Sequence, residues 1–585
     1  MLLKKLTAHD GFKVRSLNDS ILSLITHSSL VMVSYLRYFG VLDETSLLQA
    51  RYSIEQEITS QLRKASALRT RFNDLLPVSW IPWQILVDIF SMVLVDMASP
   101  TVKYKYSWLL TITHVCRRWR QAALSVPELW ATITAGEQDD HPSCIHAFLS
   151  RSQQSSLSIN ATYWNMWSLT ALQLAIPAIH RAETVEFRFL GNTPHEIHYV
   201  SALLPREAPR LLSLDVSAND RSSEHGLPFD CVDFAHVLHG CATPKLRRLR
   251  ITGFKIDWKH RAFPLSLTEL EVRRASFKFG DVPSQFDVVS ALSSLPALQS
   301  LHLLDTFPHL HVTTQLPPRE VTTPVPLGRL RDLRLSGQYA MCAHFLEHVS
   351  LPAATCISLQ FNAVCSDASS HILVIPLRNK LLESTDINPM PPIGMLSLQQ
   401  GGLDIFLQRS ESVPSFVLPR LKIRYAFREH HSLALGPFLG SLVKQLPLRG
   451  VPILCITDLS TFPDAKMGWT AVFTSMPDVQ TLFLRATRRA LCRDVVSVLD
   501  AIDDQYRFVF QRLRKVVLEG ISMRRPYFPN DPPGLDVVDL LCMSLSARTA
   551  AGIPIKELVL QRCSRVDRQC LYSLQADKNL NVMNK

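Results

Sequence analysis

The sequence predicts an α/β chain in which a small all-α module precedes an irregular solenoid of parallel strands backed by helices. Up to about residue 135, apolar side chains recur at intervals of three and four, which is the period of an amphipathic helix. Beyond that point the pattern changes to short phrases of the form Leu-x-x-Leu-x-Leu, spaced roughly 20 to 40 residues apart. With 585 residues, the chain is too long for one compact core, which agrees with two or more parts.

The first predicted element is a long helix over roughly residues 44–72, in a segment that we place at 41–74. Its apolar residues form a stripe that resembles a heptad repeat for about three heptads: Ile54, Ile58, Leu62, Ala65, Leu68, Phe72 and Leu75. The short length favours packing of this helix onto the module or domain that follows, and pairing with a helix of another chain is the alternative. Residues 1–40 form an N-terminal extension for which the sequence predicts no definite structure.

A second helix is predicted within residues 75–95, LLPVSWIPWQILVDIFSMVLV. Pro82 suits the first turn of a helix, where a missing N–H costs nothing. Ile85 with Ile89, and Leu86 with Phe90, then recur at intervals of four and mark apolar helix faces.

A third helix is predicted within residues 109–133, LLTITHVCRRWRQAALSVPELWATI. Val115, Trp119 and Ala123 step by four and should share one helix face. The arginines among them, at 117, 118 and 120, point elsewhere and need no role beyond solvation. Pro127 ends the helix, and Trp130 is expected to return toward the core.

The two segments together resemble an F-box, the small helical module of ubiquitin-ligase substrate receptors, and more narrowly the F-box-like proteins that are numerous in mushroom-forming fungi. That family combines Leu-Pro-Pro-Glu-Ile-Leu-x-x-Ile-Phe, Thr-His-Val-Cys-Arg-x-Trp-Arg and Pro-x-Leu-Trp. The matching residues here are Ile81, Pro82, Ile85, Leu86, Ile89, Phe90, Thr113, His114, Val115, Cys116, Arg117, Trp119, Arg120, Pro127, Leu129 and Trp130. Trp83 and Gln84 depart from the pattern, since Pro and Glu are usual there.

The resemblance implies a binding function rather than catalysis. Residues 75–135 would form the F-box-like domain, which would bind a Skp-type adaptor and, through it, a cullin-based ubiquitin ligase. The residues that it assigns to the adaptor surface or to its supporting core are Pro82, Ile85, Leu86, Ile89, Phe90, Val115, Trp119, Leu129 and Trp130. The alternative is an interaction scaffold that uses the F-box outside any ubiquitin ligase.

Residues 136–572 carry phrases typical of a degenerate leucine-rich repeat, in which each repeat adds one strand and a return segment. The phrases lie at 209–216, 244–251, 267–272, 296–303, 330–335, 419–423, 477–484, 513–518 and 555–560. Helices are expected between them at 286–295 and 492–502. The region 365–415 reads as a diverged repeat with a long loop, and residues 573–585 as a polar tail that frays.

In each Leu-x-Leu unit the leucines should point into the core and the middle residue outward. The middle positions include Arg250, His302, Arg334 and Lys422, together with Glu271. If the strands line one concave face, that face is net basic and a candidate site for an acidic or phosphorylated segment of a target protein. The alternative is that these are ordinary solvated residues of an exposed sheet.

The sequence offers no catalytic constellation, so we expect no enzyme, no cofactor and no metal site. The motif His195-Glu-Ile-His198 has the wrong spacing for a helical zinc site. A net charge of +11 is modest for this length and predicts no nucleic-acid partner. No apolar run is long enough to span a membrane. Twelve scattered cysteines without a C-x-x-C pair favour reduced thiols and an intracellular, cytoplasmic or nuclear, location.

Overall fold

A computed structural model gives the fold, and the chain divides into two compact units, Met1–Leu129 and Trp130–Lys585. The structure describes residues 44–97, 107–136, 142–163, 166–190, 207–218, 242–256, 258, 263–273, 285–306, 324–352, 354–361, 375–380, 393–399, 402–407, 421–425, 446, 448, 450–457, 465–485, 489–502, 508–524, 536–575 and 580–584. The predicted extension 1–40 and the motif at His195 and His198 lie outside these residues.

The first unit is helical. Its helices are α1 (Glu44–Asp74), α2 (Trp83–Met97), α3 (Ser107–Val115) and α4 (Arg117–Leu124), with a short 3₁₀ helix at Pro77–Trp80. Helix α1 forms where the apolar stripe predicts it. The stripe is not packed away, however, because its large apolar side chains, from Leu48 to Leu75, are 41 to 76% exposed. The described residues of the first unit therefore do not show the expected packing of this helix onto the module that follows it.

The third predicted helix is interrupted at Cys116. This residue has an extended backbone (φ −155°, ψ 169°), and its Sγ accepts a hydrogen bond from the Trp119 N–H at 3.4 Å, capping α4. Such a cap satisfies one of the N–H groups that have no partner within the helix. The prediction that Val115, Trp119 and Ala123 share one helix face is therefore wrong, since Val115 ends the preceding helix.

The second unit is built on a 17-stranded sheet. Its strands are β1 (Thr132–Ala135), β2 (Leu157–Tyr163), β3 (Ala182–Phe189), β4 (Ser213–Ala218), β5 (Arg248–Thr252), β6 (Glu269–Arg273), β7 (Ser300–Leu304), β9 (Asp332–Gly337), β11 (Cys356–Phe361), β12 (Ile393–Gln399), β13 (Gly402–Leu407), β14 (Leu421–Tyr425), β15 (Ile453–Thr457), β16 (Thr481–Arg485), β17 (Lys515–Glu519), β18 (Glu557–Gln561) and β19 (Asn581–Asn584). The short strands β8 (Val325–Pro326) and β10 (Val349–Ser350) pair separately.

Helices lie between some of these strands. They are α5 (Pro142–Arg151), α6 (Met166–Ala175), α7 (Gln285–Ser293), α8 (Tyr339–Glu347), α9 (Ala465–Thr474), α10 (Arg489–Val496), α11 (Val537–Ala550) and α12 (Arg568–Leu574). Residues 375–380 are also helical, and 3₁₀ helices occupy Pro127–Trp130 and Ile176–Arg181. A long, mostly parallel sheet with intervening helices is what a repeat solenoid requires. Within the described residues, no helix is both long and apolar enough to cross a membrane.

A repeated turn explains why a proline precedes so many of the leucine phrases. The N–H of Leu246 donates to the carbonyl of Thr243, and that of Leu298 donates to Leu295, both at 3.2 Å. Each is the closing bond of a four-residue β-turn, and proline is favoured at the second position of such turns because its φ is already set. The leucine that closes the turn is buried, as are both leucines of the following Leu-x-Leu. Fully burying one such side chain stabilises the fold by about 1.5–3 kcal/mol.

Two parts of the sheet differ from the prediction. Within 365–415 the chain forms a hairpin of β12 and β13, and β13 runs antiparallel to both β12 and β14. The predicted polar tail contributes β19, which pairs in parallel with β18. Hydrophobic patterning could not predict either feature. A Leu-x-Leu phrase does not indicate whether its strand runs parallel or antiparallel, and β19 contains the polar residues Asn581 and Asn584.

A buried arginine ties together the C-terminal repeats. Arg548 on α11 has no exposed surface, and its guanidinium donates to the carbonyls of Leu499 and Val509 at 2.9 Å and of Phe510 at 2.7 Å. These three carbonyls belong to the loop between α10 and β17. Burial lowers the pKa of Arg548 to about 10, with the charge of Asp500 acting in the opposite direction. The side chain therefore stays charged at neutral pH.

Candidate interaction surfaces

Helix α2 has two apolar faces, of which one is buried and the other is exposed. Leu86 and Phe90 are buried at 1% and 2% exposure. Ile85, Ile89 and Met92 lie on the other face, at intervals of four and three, and are 49%, 38% and 60% exposed. Three large apolar side chains in one exposed row of a folded helix are typical of a surface that another molecule covers.

The buried face of α2 is fixed against α4. Trp119 is half-buried and packs edge-to-face on Phe90, with the ring centroids 5.4 Å apart and the planes at 63°. The guanidinium of Arg118 donates a hydrogen bond to the carbonyl of Ile81, just before α2 begins. Arg118 therefore has a structural role, contrary to the expectation that the basic residues beside Trp119 need only solvation.

The nine residues assigned to the adaptor surface or its core separate into two groups. The first group, which is exposed, comprises Pro82, Ile85, Ile89 and Val115. The second group, which is buried or half-buried, comprises Leu86, Phe90, Trp119, Leu129 and Trp130. Met92 and Leu110 are further exposed apolar residues that the sequence reading missed. The signal for Met92 was available, since it continues the spacing of Ile85 and Ile89 by one turn.

Trp130 does turn toward a core, as predicted, but that core belongs to the second unit. It has no exposed surface and packs edge-to-face on Phe148 of α5, with the centroids 4.9 Å apart. The guanidinium carbon of Arg151, also on α5, lies 4.3 Å from the centre of the Trp130 ring. Trp130 thus anchors the first helix of the sheet-bearing unit and offers no side-chain surface to a partner.

The sheet supplies a second candidate surface, because the middle residues of its strands are in register. We call the following set the outer row, from β3 across the sheet to β14: Glu186, Asp215, Arg250, Glu271, His302, Arg334, Ser358 and Lys422. All four predicted candidates, Arg250, His302, Arg334 and Lys422, are members. They share one face of the sheet, since residues paired across adjacent strands point the same way.

The basic residues of the outer row are matched by acidic ones. Arg250 bridges two strands, with Nη1 3.0 Å from Asp215 Oδ2 and Nε 3.0 Å from Glu271 Oε2. Arg273 also donates to Glu271. On β9, Arg334 Nη2 lies 3.0 Å from Asp332 Oδ2. From β3 to β9 the row holds three carboxylates against two guanidiniums and one imidazole, so its charge is mixed and this part is not the net basic face that we expected.

His302 connects two of these carboxylates. Its Nε2 lies 2.9 Å from Asp332 Oδ2, and its Nδ1 lies 3.4 Å from Glu271 Oε2. Ser300 Oγ is also within 3.1 Å of Nε2. The side chain is 15% exposed, so water screens these contacts only in part.

The carboxylates and the imidazole shift each other's pKa. Burial alone lowers the pKa of His302, but its hydrogen bonds to Asp332 and Glu271 outweigh this and raise that pKa above its usual value. Burial alone raises the pKa of Glu271, but the hydrogen bond from His302 and the charges of Arg250 and Arg273 lower it to about 2. Around neutral pH, Glu271 is therefore ionised and His302 gains protons more readily than an isolated histidine.

Further along the sheet the same row becomes apolar. The in-register positions on β16, β17 and β18 are Phe483, Val517 and Val559. Phe483 is exposed, whereas both valines are buried. The signal was present in the phrases Leu-Phe-Leu, Val-Val-Leu and Leu-Val-Leu, whose middle residues are apolar. Of these three apolar residues, only Phe483 adds exposed apolar surface to the face.

Comparisons with known proteins do not assign this chain to a family. No family model and no curated protein matches the chain. Among solved structures, 27 chains match, including the leucine-rich repeat-containing protein LegL7 from Legionella pneumophila. That match has 12% identity and a TM-score of 0.20, and covers 67% of this chain and 86% of LegL7. Because the TM-score is so low, the solenoid reading rests on the in-register parallel sheet and its recurring turns.

Proposed function

We propose that this chain is a substrate-recognition adaptor of a cullin-based ubiquitin ligase. In this proposal the helices of the first unit act as an F-box and bind a Skp-type adaptor, while the sheet surface holds a target protein. The chain contributes proximity between target and transferring enzyme rather than bond making. It would act inside the cell, in the cytoplasm, the nucleus or both.

The observation that carries the proposal is the exposed apolar row of α2. Ile85, Ile89 and Met92 lie on α2, which the resemblance to an F-box assigns to adaptor binding. Val115 adds an exposed apolar side chain at the end of α3. A row of this kind gains free energy when a partner covers it, and the truncation of one well-buried anchor at an interface typically costs about 2 kcal/mol or more.

The test is the affinity of the full chain for a purified Skp-type adaptor. Changing Ile85→Asp together with Ile89→Asp places two charges in the proposed interface, and we expect the affinity to fall by about a hundredfold or more. Both residues are exposed, so the first unit should keep its fold, which a melting curve can verify. The matched control is Leu265→Asp with Met543→Asp, which alters two exposed apolar residues of the other unit.

Each outcome has a definite meaning. If the unmodified chain does not bind the adaptor, the ligase proposal is wrong. If it binds the adaptor but never recovers a cullin from the same cells, the scaffold function outside a ubiquitin ligase replaces it. Equal loss of binding in the control and in the Ile85/Ile89 variant would remove the exposed row of α2 from the interface.

For the target, we propose the outer row as the binding surface, with Arg250, His302, Arg334 and Lys422 among the contacting residues. The mixture of acidic and basic residues favours a target segment that carries charges of both signs in complementary order. Arg334→Glu with Lys422→Glu is the sharper variant, because Arg250 holds two carboxylates from neighbouring strands, Asp215 and Glu271, whereas Arg334 pairs with Asp332 of its own strand. We expect proteins captured by the full chain to be lost from this variant, and unchanged capture would exclude the outer row.

A further inference from the structure

Helix α1 carries an apolar seam that none of the described residues of the first unit covers. Numbered as a heptad with Ile58 at position a, the seam holds Ile58, Ala65 and Phe72 at a, and Leu47, Ile54, Leu68 and Leu75 at d. Two polar residues interrupt it, Arg51 at a and Gln61 at d. The large residues from Ile54 onward are all exposed. A 31-residue helix extends about 46 Å and offers roughly four heptads, which is enough for a two-stranded coiled coil.

The charges that flank the seam are separated along the helix. The flanking positions e and g hold Glu55 and Glu57 in the first half, and Lys64, Arg69 and Arg71 in the second half. A partner that fits this arrangement must present basic residues to the first half and acidic residues to the second. A second copy of the same helix, running in the opposite direction, has that distribution.

We propose that α1 pairs with α1 of a second copy as an antiparallel coiled coil. In antiparallel pairs, position a faces d, e faces e and g faces g across the interface. The register that aligns the seam places Ile54 against Phe72 and Ile58 against Leu68. The same register places Glu55 opposite Arg69 and Glu57 opposite Arg71, and the two-fold symmetry repeats each pair.

The opposite orientation is disfavoured by the same residues. In a parallel pair, position g of one helix faces e of the next heptad on the other helix. Lys64 would then face Arg69, and Glu57 would face Leu62, so no attractive pair forms. The antiparallel pair has one repulsive contact, Lys64 with its own counterpart near the two-fold axis, where both long side chains can extend into solvent. The same register also places Arg51 against Leu75 and Gln61 against Ala65, and both polar side chains are long enough to reach the edge of the interface. Self-complementary flanks of this kind select both partner and orientation.

Sedimentation of the full chain over a range of concentrations tests the proposal. We expect a dimer in reversible equilibrium with monomer. Glu55→Lys with Glu57→Lys converts four attractive contacts of the dimer into repulsive ones and should weaken association by about a hundredfold. Arg69→Glu with Arg71→Glu should have an equal effect. Gln56→Lys with Ser60→Lys, on the face away from the seam, is the control and should leave the dimer intact.

Mixing the two charge-reversed chains makes the test specific for orientation. In an antiparallel pair, the new lysines of one variant meet the new glutamates of the other, so an equimolar mixture should restore a dimer that contains one copy of each. A parallel pair or a contact elsewhere would not restore association in this way. The proposal is overturned if the unmodified chain stays monomeric, if neither variant weakens the dimer, or if the mixture stays monomeric while circular dichroism shows α1 intact.

Discussion

Trp119 lies edge-to-face on Phe90, at 5.4 Å between the ring centroids, and so joins the helix that carries the exposed apolar row to the one that follows Cys116. Phe90 is buried and Trp119 is half-buried, which makes this pair a central contact between α2 and α4. This contact holds the opposite face of α2 from the one that carries the exposed apolar row.

We predict that Phe90→Ala lowers the free energy of unfolding of the first unit by about 3–5 kcal/mol, because it leaves a cavity under α2. A double-mutant cycle with Trp119→Ala should give a coupling free energy of about 0.5–1.5 kcal/mol for the ring pair. Denaturant unfolding measures both quantities. Ile89→Ala, on the exposed face of α2, is the control and should change the stability far less. Additive single changes would show that the rings do not interact.

Arg118→Ala should destabilise the first unit by about 1–3 kcal/mol, because the carbonyl of Ile81 loses a charge-assisted hydrogen bond. Arg117→Ala removes an exposed guanidinium of the same helix and should have little effect. Thermal unfolding of the two variants side by side distinguishes them. Equal melting temperatures would mean that the bond from Arg118 to Ile81 adds no stability.

The outer row should make stability depend on pH through His302. The pKa of His302 is raised in the folded state, so the folded chain binds more protons than the unfolded chain in the interval above the ordinary histidine pKa. Its stabilising contribution is then complete below about pH 6.5 and is lost as the pH rises through the raised pKa. Glu271 behaves in the opposite way, and its contribution is lost as the pH falls from its ordinary value of 4.5 toward about 2.

The measurement is the difference in the free energy of unfolding between the unmodified chain and His302→Gln, followed from pH 6 to pH 9. We expect the difference to be largest at pH 6 and to shrink toward pH 9. Asn160→Ala, an uncharged residue in register with Glu186 on β2, should give a difference that does not vary with pH. A constant difference for His302→Gln would show that the imidazole does not titrate in this interval.

Arg548→Met should be strongly destabilising, by about 3–5 kcal/mol, because three buried carbonyls lose their donor at once. Methionine nearly preserves the length of the side chain, so the loss reports the hydrogen bonds more than the packing. Arg493→Met, at an exposed position on α10, is the control. We expect the variant to lower the melting temperature of the C-terminal repeats. Amide hydrogen exchange at Leu499, Val509 and Phe510 should become faster. Unchanged amide exchange at these residues would show that the hydrogen bonds from Arg548 do not stabilise the loop.

Gly136→Ala should destabilise the start of the sheet. Gly136 has a φ of +94°, and a Cβ added there would lie 1.8 Å from the carbonyl oxygen of Thr162, so β1 and β2 would have to separate. Gly328→Ala is the matched control, because that glycine has no positive φ and an added Cβ meets nothing within 4 Å. We expect the first change to lower the melting temperature and the second to leave it unchanged or to raise it slightly.

The sequence was informative wherever a local rule decides the structure. Every leucine phrase became a strand, because Pro-x-Leu closes a turn and Leu-x-Leu alternates about the sheet without reference to distant residues. The break at Cys116 was missed, because the apolar spacing of Val115 and Trp119 fits an unbroken helix equally well. The middle positions of the leucine phrases predicted the outer row. They did not predict that Arg250 pairs with Asp215, because the register between strands depends on how the repeats stack.

Strand order gives the hairpin of β12 and β13 a consequence for folding. Before it, successive strands of the sheet from β1 to β11 pair with near neighbours in the chain, and the same holds from β15 to β19. Between these runs, β11 pairs with β14, and β12 pairs with β15. The two runs therefore become one continuous sheet only when β12, β13 and β14 have formed between them. Each run can therefore fold through contacts between strands that are near in the chain. The pairings that join the two runs are between more distant strands, and we expect them to form more slowly.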